Sequence, residues 1–272
     1  MGRFDLRTRS GQISPIIQTQ GGTSIDPDAQ AFFNRVTAAG GTLSVTEQNA
    51  VNTLTLSLKL AGIWTLMRAI YPIVGASAAA CSQNLVSSSF TGTFSSGWTF
   101  TSLGVTPNGT SAYMDTALTP SVTLSLNSTH LSFYSRTDTA SGSIADIGSF
   151  GNSNYTLIEL FGNTFYNLIN QSSTASNNPM TTSLGHFIGS RTTSTLLKSY
   201  RNGTSFGTHT STSGALSNAI ITLAAFNNAG SLQFYSNRQY AFASIGDGLT
   251  DVQATDFYNA VQTFQTTLSR QV

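Results

Sequence analysis

The residues able to do chemistry in this chain are few and scattered. Hydrolysis of a glycosidic bond takes two carboxylates roughly 5–9 Å apart, one to move a proton and one to act as base or nucleophile. The chain has only two glutamates, Glu47 and Glu159. Glu47 follows Ser44 by three residues in SVTEQ, the spacing of a helix capping box, which gives it a structural task. Glu159, in YTLIELF, has no acidic neighbour two or four residues away, and Asp138 and Asp146 fall near turns without a strand-mate. His130, His186 and His209 lie on separate expected strands with no metal-ligand spacing between them, so each reads as an ordinary strand histidine. Gly148-Ser149-Phe150-Gly151 has the wrong spacing for a nucleophile elbow, and no phosphate-binding loop is present. Asp146, Asn152 and Asp247 offer calcium only two separated carboxylates, a poor site. The single cysteine, Cys81, rules out an intrachain disulfide and a multi-cysteine zinc site and reads as a small buried residue. The expectation is a chain with no catalytic residues, no metal and no cofactor.

Binding chemistry is better represented. Trp98, Tyr113, Tyr155 and Tyr166, beside Asn152, Asn154 and Asn163, are the residue types of a glycan platform, in which rings stack on sugar and short amides bond hydroxyls. The competing reading places those aromatics in a core or an oligomer interface. Asn108-Gly-Thr and Asn202-Gly-Thr match glycosylation acceptors in form and are read as turn asparagines. Arg3, Arg7 and Arg9 lie in an N-terminal stretch with little apolar periodicity. Either that stretch is a disordered tail, or it is an arm that docks on a partner protein, with its arginines meeting carboxylates there.

Composition narrows the classes further. Charged residues are 8% of the 272 and the formal net charge is +1, against roughly 25% charged in ordinary soluble domains. Serine, threonine, asparagine and glycine carry the polarity instead, which suits an outward-facing β surface or a homo-oligomer. A near-neutral chain has no broad attraction for nucleic acid or an anionic membrane, and no apolar run approaches the roughly 20 residues of a membrane span. The first fifteen residues lack the apolar core of a secretory signal. An outward-facing composition without an export signal is reconciled by release from a lysed cell inside a virus particle.

The elements that would position these residues divide into four parts: an extended arm (1–25), a helical unit (26–84), a sandwich (85–248) and a closing helix (249–272). Asp26-Pro27 opens a helix bearing Phe32, Phe33 and Val36, and Gly40-Gly41 ends it. Ser44 and Glu47 open a second, with Val51, Leu54, Leu58 and Ala61 as its apolar stripe. Ile63, Trp64, Met67, Ile70 and Tyr71 read as a third short helix. Strands are expected at 98–100, 113–116, 123–126, 130–136, 143–147, 155–161, 164–170, 184–191, 196–201, 204–209, 219–226 and 232–235, with Asn202-Gly203 as a tight hairpin turn. After the strand around 240–245 and the Gly246-Asp247-Gly248 turn, Thr250 and Gln253 form a capping box. Phe257, Val261, Phe264 and Leu268 then make one helical stripe. Phe32, Phe33, Trp64, Met67, Phe257 and Phe264 are the expected helix-packing or subunit-interface residues.

Four local motifs in this order resemble the concanavalin A-like, or laminin-G-like, jelly-roll family: PNGTSAYMDT (107–116), THLSFYSRT (129–137), YRNGT (200–204) and GDGLTDVQATDFYNAVQ (246–262). Together they span roughly residues 86–268. The combination with the preceding segment DPDAQAFFNRV…TEQNAVNTL…GIWTLMRAIYP is similar to accessory structural proteins of tailed bacteriophages, such as head decorations, head fibres and tail-associated proteins. The resemblance implies a mainly β fold, an antiparallel jelly-roll sandwich preceded by a small helical unit and closed by a C-terminal helix. It also implies a non-enzymatic component of the virion, with the major capsid protein or other virion proteins as partners. Hydrolases of that superfamily place acidic residues at alternate positions of one strand, and YTLIELF lacks that pattern. The alternative expectation is a glycan-binding adhesin or receptor-binding protein with a surface glycan as partner.

Overall fold

The computed structural model describes residues 24–138, 144–173 and 176–272; Arg3, Arg7 and Arg9 lie outside them. Helix α1 (Pro27–Ala38) is capped by the Asp26 side chain and α2 (Val45–Leu60) by the Ser44–Glu47 box. A 3-10 turn at Trp64–Leu66 leads into strand β1 (Met67–Tyr71), and a four-residue helix α3 (Ala78–Cys81) follows. The next elements are β2 (Thr93–Phe94), β3 (Trp98–Thr101), β4 (Gly104–Pro107), β5 (Met114–Asp115), the short helix α4 (Pro120–Thr123) and β6 (Thr129–Ser135). A run of longer strands comes after them: β7 (Ile147–Gly151), β8 (Asn154–Phe161), β9 (Thr164–Gln171), β10 (Asn177–Pro179), β11 (Gly185–Arg191), β12 (Leu196–Arg201) and β13 (Thr204–Thr210). The chain closes with β14 (Thr222–Leu223), β15 (Phe226–Asn228), β16 (Ser231–Gln233), β17 (Tyr240–Gly246) and α5 (Asp251–Thr267).

The strands form two sheets, antiparallel but for one short parallel contact between β7 and β15. The first runs β13-β12-β11-β6-β17-β4-β3, with β1 sharing the free edge of β17 beside β4. The second runs β10-β9-β8-β7-β14-β5-β2, with β15 and β16 attached at β7. This is the expected jelly-roll sandwich, mainly β, with helices before it and a helix after it.

Two apolar layers hold it together. Between the sheets lie Leu131, Phe133, Ile158, Phe165, Phe187 and Tyr240, all buried. On the outer face of the first sheet, Tyr134, Ile188 and Phe242 meet Phe32, Val51, Leu54 and Leu58 from the first two helices and Phe257, Val261 and Phe264 from α5. All seven residues of β17 are buried because one face of the strand looks into each layer. The two ends of the chain therefore meet, α2 against α5, as the unmatched stripe on the closing helix requires.

Four expectations change, the first being the strand at 143–147, which begins only at Ile147 and runs on to Gly151 as β7. The third short helix is not formed: after Gly62, at φ 68°, the segment turns into β1 and pairs with β17. Apart from Arg68, which pairs with Asp247, its residues are apolar, which fits a strand buried on both faces, with Met67 and Ile70 toward the helices and Ala69 and Tyr71 toward the sandwich interior. Residues 123–126 are not a strand, because Pro120 starts a helical turn there. The expected strand 219–226 breaks into β14 and β15 at Ala224, at φ 69°. Phe32, Phe33, Met67, Phe257 and Phe264 are buried inside this one chain, and Trp64 packs at the margin of the same layer with Lys59 Nζ 5.3 Å from its ring centre. Of the two roles expected for them, they fill the first, helix packing within the chain.

Candidate functional site: an uncovered aromatic sheet and a cleft at its edge

Among the described residues the helices cover only one sheet; the outer face of the second carries a small cluster of its own, with Leu157, Leu168 and Phe226 buried and Phe150, Tyr155 and Tyr166 partly exposed around them. Alternation along β8 buries Thr156, Ile158 and Leu160 inward and turns Tyr155, Leu157, Glu159 and Phe161 outward. Register extends this face: Tyr155 is opposite Phe150 on β7, and Leu157 and Glu159 are opposite Leu168 and Tyr166 on β9. The result is an aromatic band. Phe150 lies 4.7 Å from Tyr155 between ring centres, Tyr155 stacks on Phe226 at 6.1 Å, and Phe226 on Phe234 at 6.1 Å. At the other end Phe161 meets Tyr166 edge-on at 6.2 Å. Phe161 and Phe234 are 42% and 46% exposed, unusual for phenylalanine on a sheet. Glu159 sits in this band and makes no hydrogen bond among the described residues. Burial, reinforced by the negative charge of Asp146, pushes its carboxyl up to about 8.

The four aromatics proposed as a glycan platform are thereby split. Tyr155 and Tyr166 belong to the open band. Trp98 and Tyr113 lie at the β2/β3 edge, where the Trp98 indole donates to the Tyr113 carbonyl at 3.2 Å and Phe94 meets both Trp98 and Phe100 at 5.0 Å. They close that end of the sandwich.

At the opposite edge, β13 of one sheet and β10 of the other are not paired. Asn178 bridges them, donating to Ser199 Oγ at 3.1 Å and lying 2.9 Å from His209 Nε2. Past Pro179 the edges separate into a cleft of about 460 Å³ lined by Pro179, Met180, Thr181, Arg201, Asn202, Thr204 and Phe206. Arg201 reaches it from the hairpin: it is opposite Phe187, on the inner side of β12, and stacks 5.8 Å over that ring. Its Nε donates to the Leu184 carbonyl at 2.9 Å, and its two terminal nitrogens have no partner among the described residues. A second hollow shares Met180 and Thr181 and continues to Asp138, Asn163 and Ser183. The backbone N–H of Ser183, donating at 2.8 Å, holds the Asp138 carboxyl below its ordinary range, with Arg201 adding to the effect. Arg201, Met180 and Phe206 were not singled out from sequence. The available signal was the position of Arg201 immediately before the Asn202-Gly203 turn, whose φ angles of 49° and 74° fix the hairpin.

The remaining titratable residues have structural roles. Asp146 is wholly buried, 3.3 Å from Arg238 Nη1, and accepts from the Tyr240 hydroxyl at 2.7 Å and the Leu160 N–H at 2.7 Å. It is therefore taken out of any loop calcium site with Asn152. Asp247 pairs with Arg68 at 2.9 Å. His130 and His186 come together beneath α5. His130 bonds the Asp247 carbonyl at 2.6 Å and Ser244 Oγ at 3.0 Å, and burial lowers it to about 4. His186 packs against Phe257 at 5.1 Å and Tyr134 at 6.3 Å with neither ring nitrogen bonded, and burial lowers it to about 3. Burial raises the Cys81 thiol to about 12, so it is inert. Among the described residues no group of three or more His, Cys, Asp or Glu could hold a metal, and no helix is long and apolar enough to cross a membrane.

No protein-family description matches the chain. No curated protein matches it. Solved structures similar to it include domain 4 of AbnA, a GH43 extracellular arabinanase from Geobacillus stearothermophilus, at 15% identity and TM-score 0.45, covering 71% of this chain and 98% of that domain. The binding domain of botulinum neurotoxin serotype G is similar at 12% identity and TM-score 0.41, over 63% of this chain and 47% of that one. The binding domain of Paraclostridial Mosquitocidal Protein 1 is similar at 11% identity and TM-score 0.43, over 72% and 52%. The chain thus spans nearly all of the arabinanase domain but about half of each toxin domain. At these identities and scores the likenesses carry nothing about what this chain binds.

Proposed function

We propose that this chain is a non-enzymatic virion structural protein of the accessory phage class that its sequence resembles, mounted on the particle by its N-terminal side. The observation that supports this reading is that the sandwich is finished differently on its two faces. One face is sealed by helices, and the described chain enters there, with Asn52 of α2 accepting from the Asp26 N–H at 2.7 Å and Lys59 joined to Asp26 and Asp28 at 2.6 Å. The first described residue, Ser24, therefore lies at the helical layer, its carbonyl accepting from Asn52 Nδ2 at 3.4 Å. That layer also carries exposed apolar residues, Leu56 at 40%, Leu60 at 92% and Val252 at 70%, able to bury area against a partner at ~25 cal/mol per Å² before ordering costs. The opposite face is the open aromatic band. Deleting residues 1–23 is expected to leave the folded sandwich intact and to abolish incorporation into particles. Truncated protein at full occupancy on purified particles would refute the assignment.

A second reading, glycan recognition, is favoured by the band itself, where half-buried Tyr155 and Tyr166 combine ring faces with hydroxyl groups. Replacing both with alanine should remove binding on a glycan array while circular dichroism stays unchanged. Binding that survives in the double variant excludes the band as the glycan platform.

A further inference from the structure

We propose that the cleft between β10 and β13 is a binding site for a carboxylate-bearing sugar, its carboxylate paired with the Arg201 guanidinium and its ring lying against Phe206 and Met180. This extends the glycan reading to a different surface and a charged ligand class, and does not depend on where the protein is mounted.

Arg270 is a buried guanidinium in which all three nitrogens are used, its Nε, Nη1 and Nη2 reaching Gln265 Oε1, the Ile73 carbonyl and the Pro72 and Ala241 carbonyls. Arg201 differs. Its Nε is anchored to the Leu184 carbonyl and its plane is supported by Phe187, while the two terminal N–H groups are left over, and no described carboxylate is within salt-bridge distance. A side chain fixed at its stem with its fork unused is preorganised for a bidentate carboxylate. The surroundings select what carries that carboxylate. Phe206, braced by Phe165 at 5.5 Å, and Met180 supply an apolar wall of the kind that a sugar ring face packs on. Thr181, Thr204 and the Asn202 amide, whose oxygen alone is engaged, by the His186 backbone N–H at 2.9 Å, supply groups that donate and accept, as a ring of hydroxyls requires. About 460 Å³ is within the roughly 300–1,000 Å³ of small-molecule sites. Asp138 in the adjoining hollow sets the direction: it repels the carboxylate toward Arg201 and can accept a hydroxyl at the other end.

The test titrates the full-length protein with glucuronate by NMR or calorimetry, using glucose as the uncharged control and an N-acetyl dipeptide as a carboxylate without a sugar ring. Glucuronate should bind on the order of tenfold more tightly than either, and weaken with added salt. Arg201→Gln should lose at least about tenfold, with a partial loss in Arg201→Lys. If Arg201→Gln fails to fold, Met180→Glu places a competing carboxylate at the cleft without touching the Arg201 contacts, and should lose glucuronate equally. Equal binding of glucose and glucuronate, equal binding of the dipeptide, or unchanged affinity in a folded Arg201→Gln or Met180→Glu overturns the proposal. Saccharide binding that disappears only in the Tyr155/Tyr166 double variant overturns it while leaving the glycan reading standing. No saccharide binding of any kind sinks both.

Discussion

Glu159 and His186 titrate abnormally for one reason, burial in apolar surroundings, and with opposite consequences for stability. The Glu159 carboxyl rises from 4.5 to about 8. Between those values the folded state holds a proton that the unfolded state has released, so its contribution is full below pH 4.5 and is lost as pH rises through 8. Glu159→Gln should therefore be more stable than the parent at pH 9, by about 2 kcal/mol, and equal to it near pH 4, as read by urea denaturation. His186 falls from 6.5 to about 3, so the unfolded state binds a proton that the folded state refuses, and stability present above pH 6.5 is lost as pH drops. Its two ring nitrogens are buried without partners. His186→Phe keeps a ring in the same aromatic nest and removes both, so it should gain about 1 kcal/mol at neutral pH and unfold less readily in acid.

Helix α5 is the element on which several of these interactions converge. It lays Phe257, Val261 and Phe264 over the first sheet, covers His130 and His186, and anchors its N-terminus through Asp251, which accepts from Lys198 at 2.7 Å and the Tyr200 hydroxyl at 2.7 Å. Beyond its C-terminus, Arg270 is wholly buried and donates to carbonyls of Pro72, Ile73 and Ala241, fastening the chain end to the segment that follows β1. Phe257→Ala should cost about 3–5 kcal/mol, measured by chemical denaturation. Because protonating His130 and His186 charges the layer beneath it, α5 should be the first helix to lose hydrogen-exchange protection as pH falls from 6.5 toward 4, at a cost on the order of 3 kcal/mol for each histidine. Uniform loss of protection across both sheets at the same pH would contradict that order.

At the scale of the molecule, the helices and the sandwich are one folding unit. Strand β1 comes from the N-terminal helical segment and completes the first sheet beside β17, and the outer face of that sheet is buried only because α1, α2 and α5 cover it. A fragment beginning at residue 85 would expose Tyr134, Ile188 and Phe242 and leave part of the β17 edge unpaired, so it should be aggregated or molten, seen as lost near-ultraviolet circular dichroism. Removing residues 1–23 takes away none of these contacts and should change attachment alone. The described molecule has a helical side, where Ser24 begins, and an aromatic side without a helix, bordered by the Arg201 cleft.

Local signals in the sequence determined much of this. The Asp26 cap, the Ser44–Glu47 and Thr250–Gln253 boxes, the Asn202-Gly203 turn and the α5 stripe are contacts between residues at most four apart, so spacing alone specifies them. The mainly β sandwich followed from the repeated short alternations, whereas the nearness of Asp146 to Glu159, which no local spacing shows, came from the pairing of β7 with β8. Residues 63–71 could not be assigned that way, since an apolar run suits a buried strand as well as a helix until a partner edge is available, and β17 supplies that edge from 170 residues or more further along the chain. Tertiary structure likewise decided that Tyr155 and Tyr166 share an open face while Trp98 and Tyr113 close an edge. It also decided that Asp146 is spent on Arg238, and that Arg201 keeps an unused fork in a cleft. Each of those outcomes depends on which distant strand lies alongside, and sheet pairing is a long-range choice that no single segment encodes.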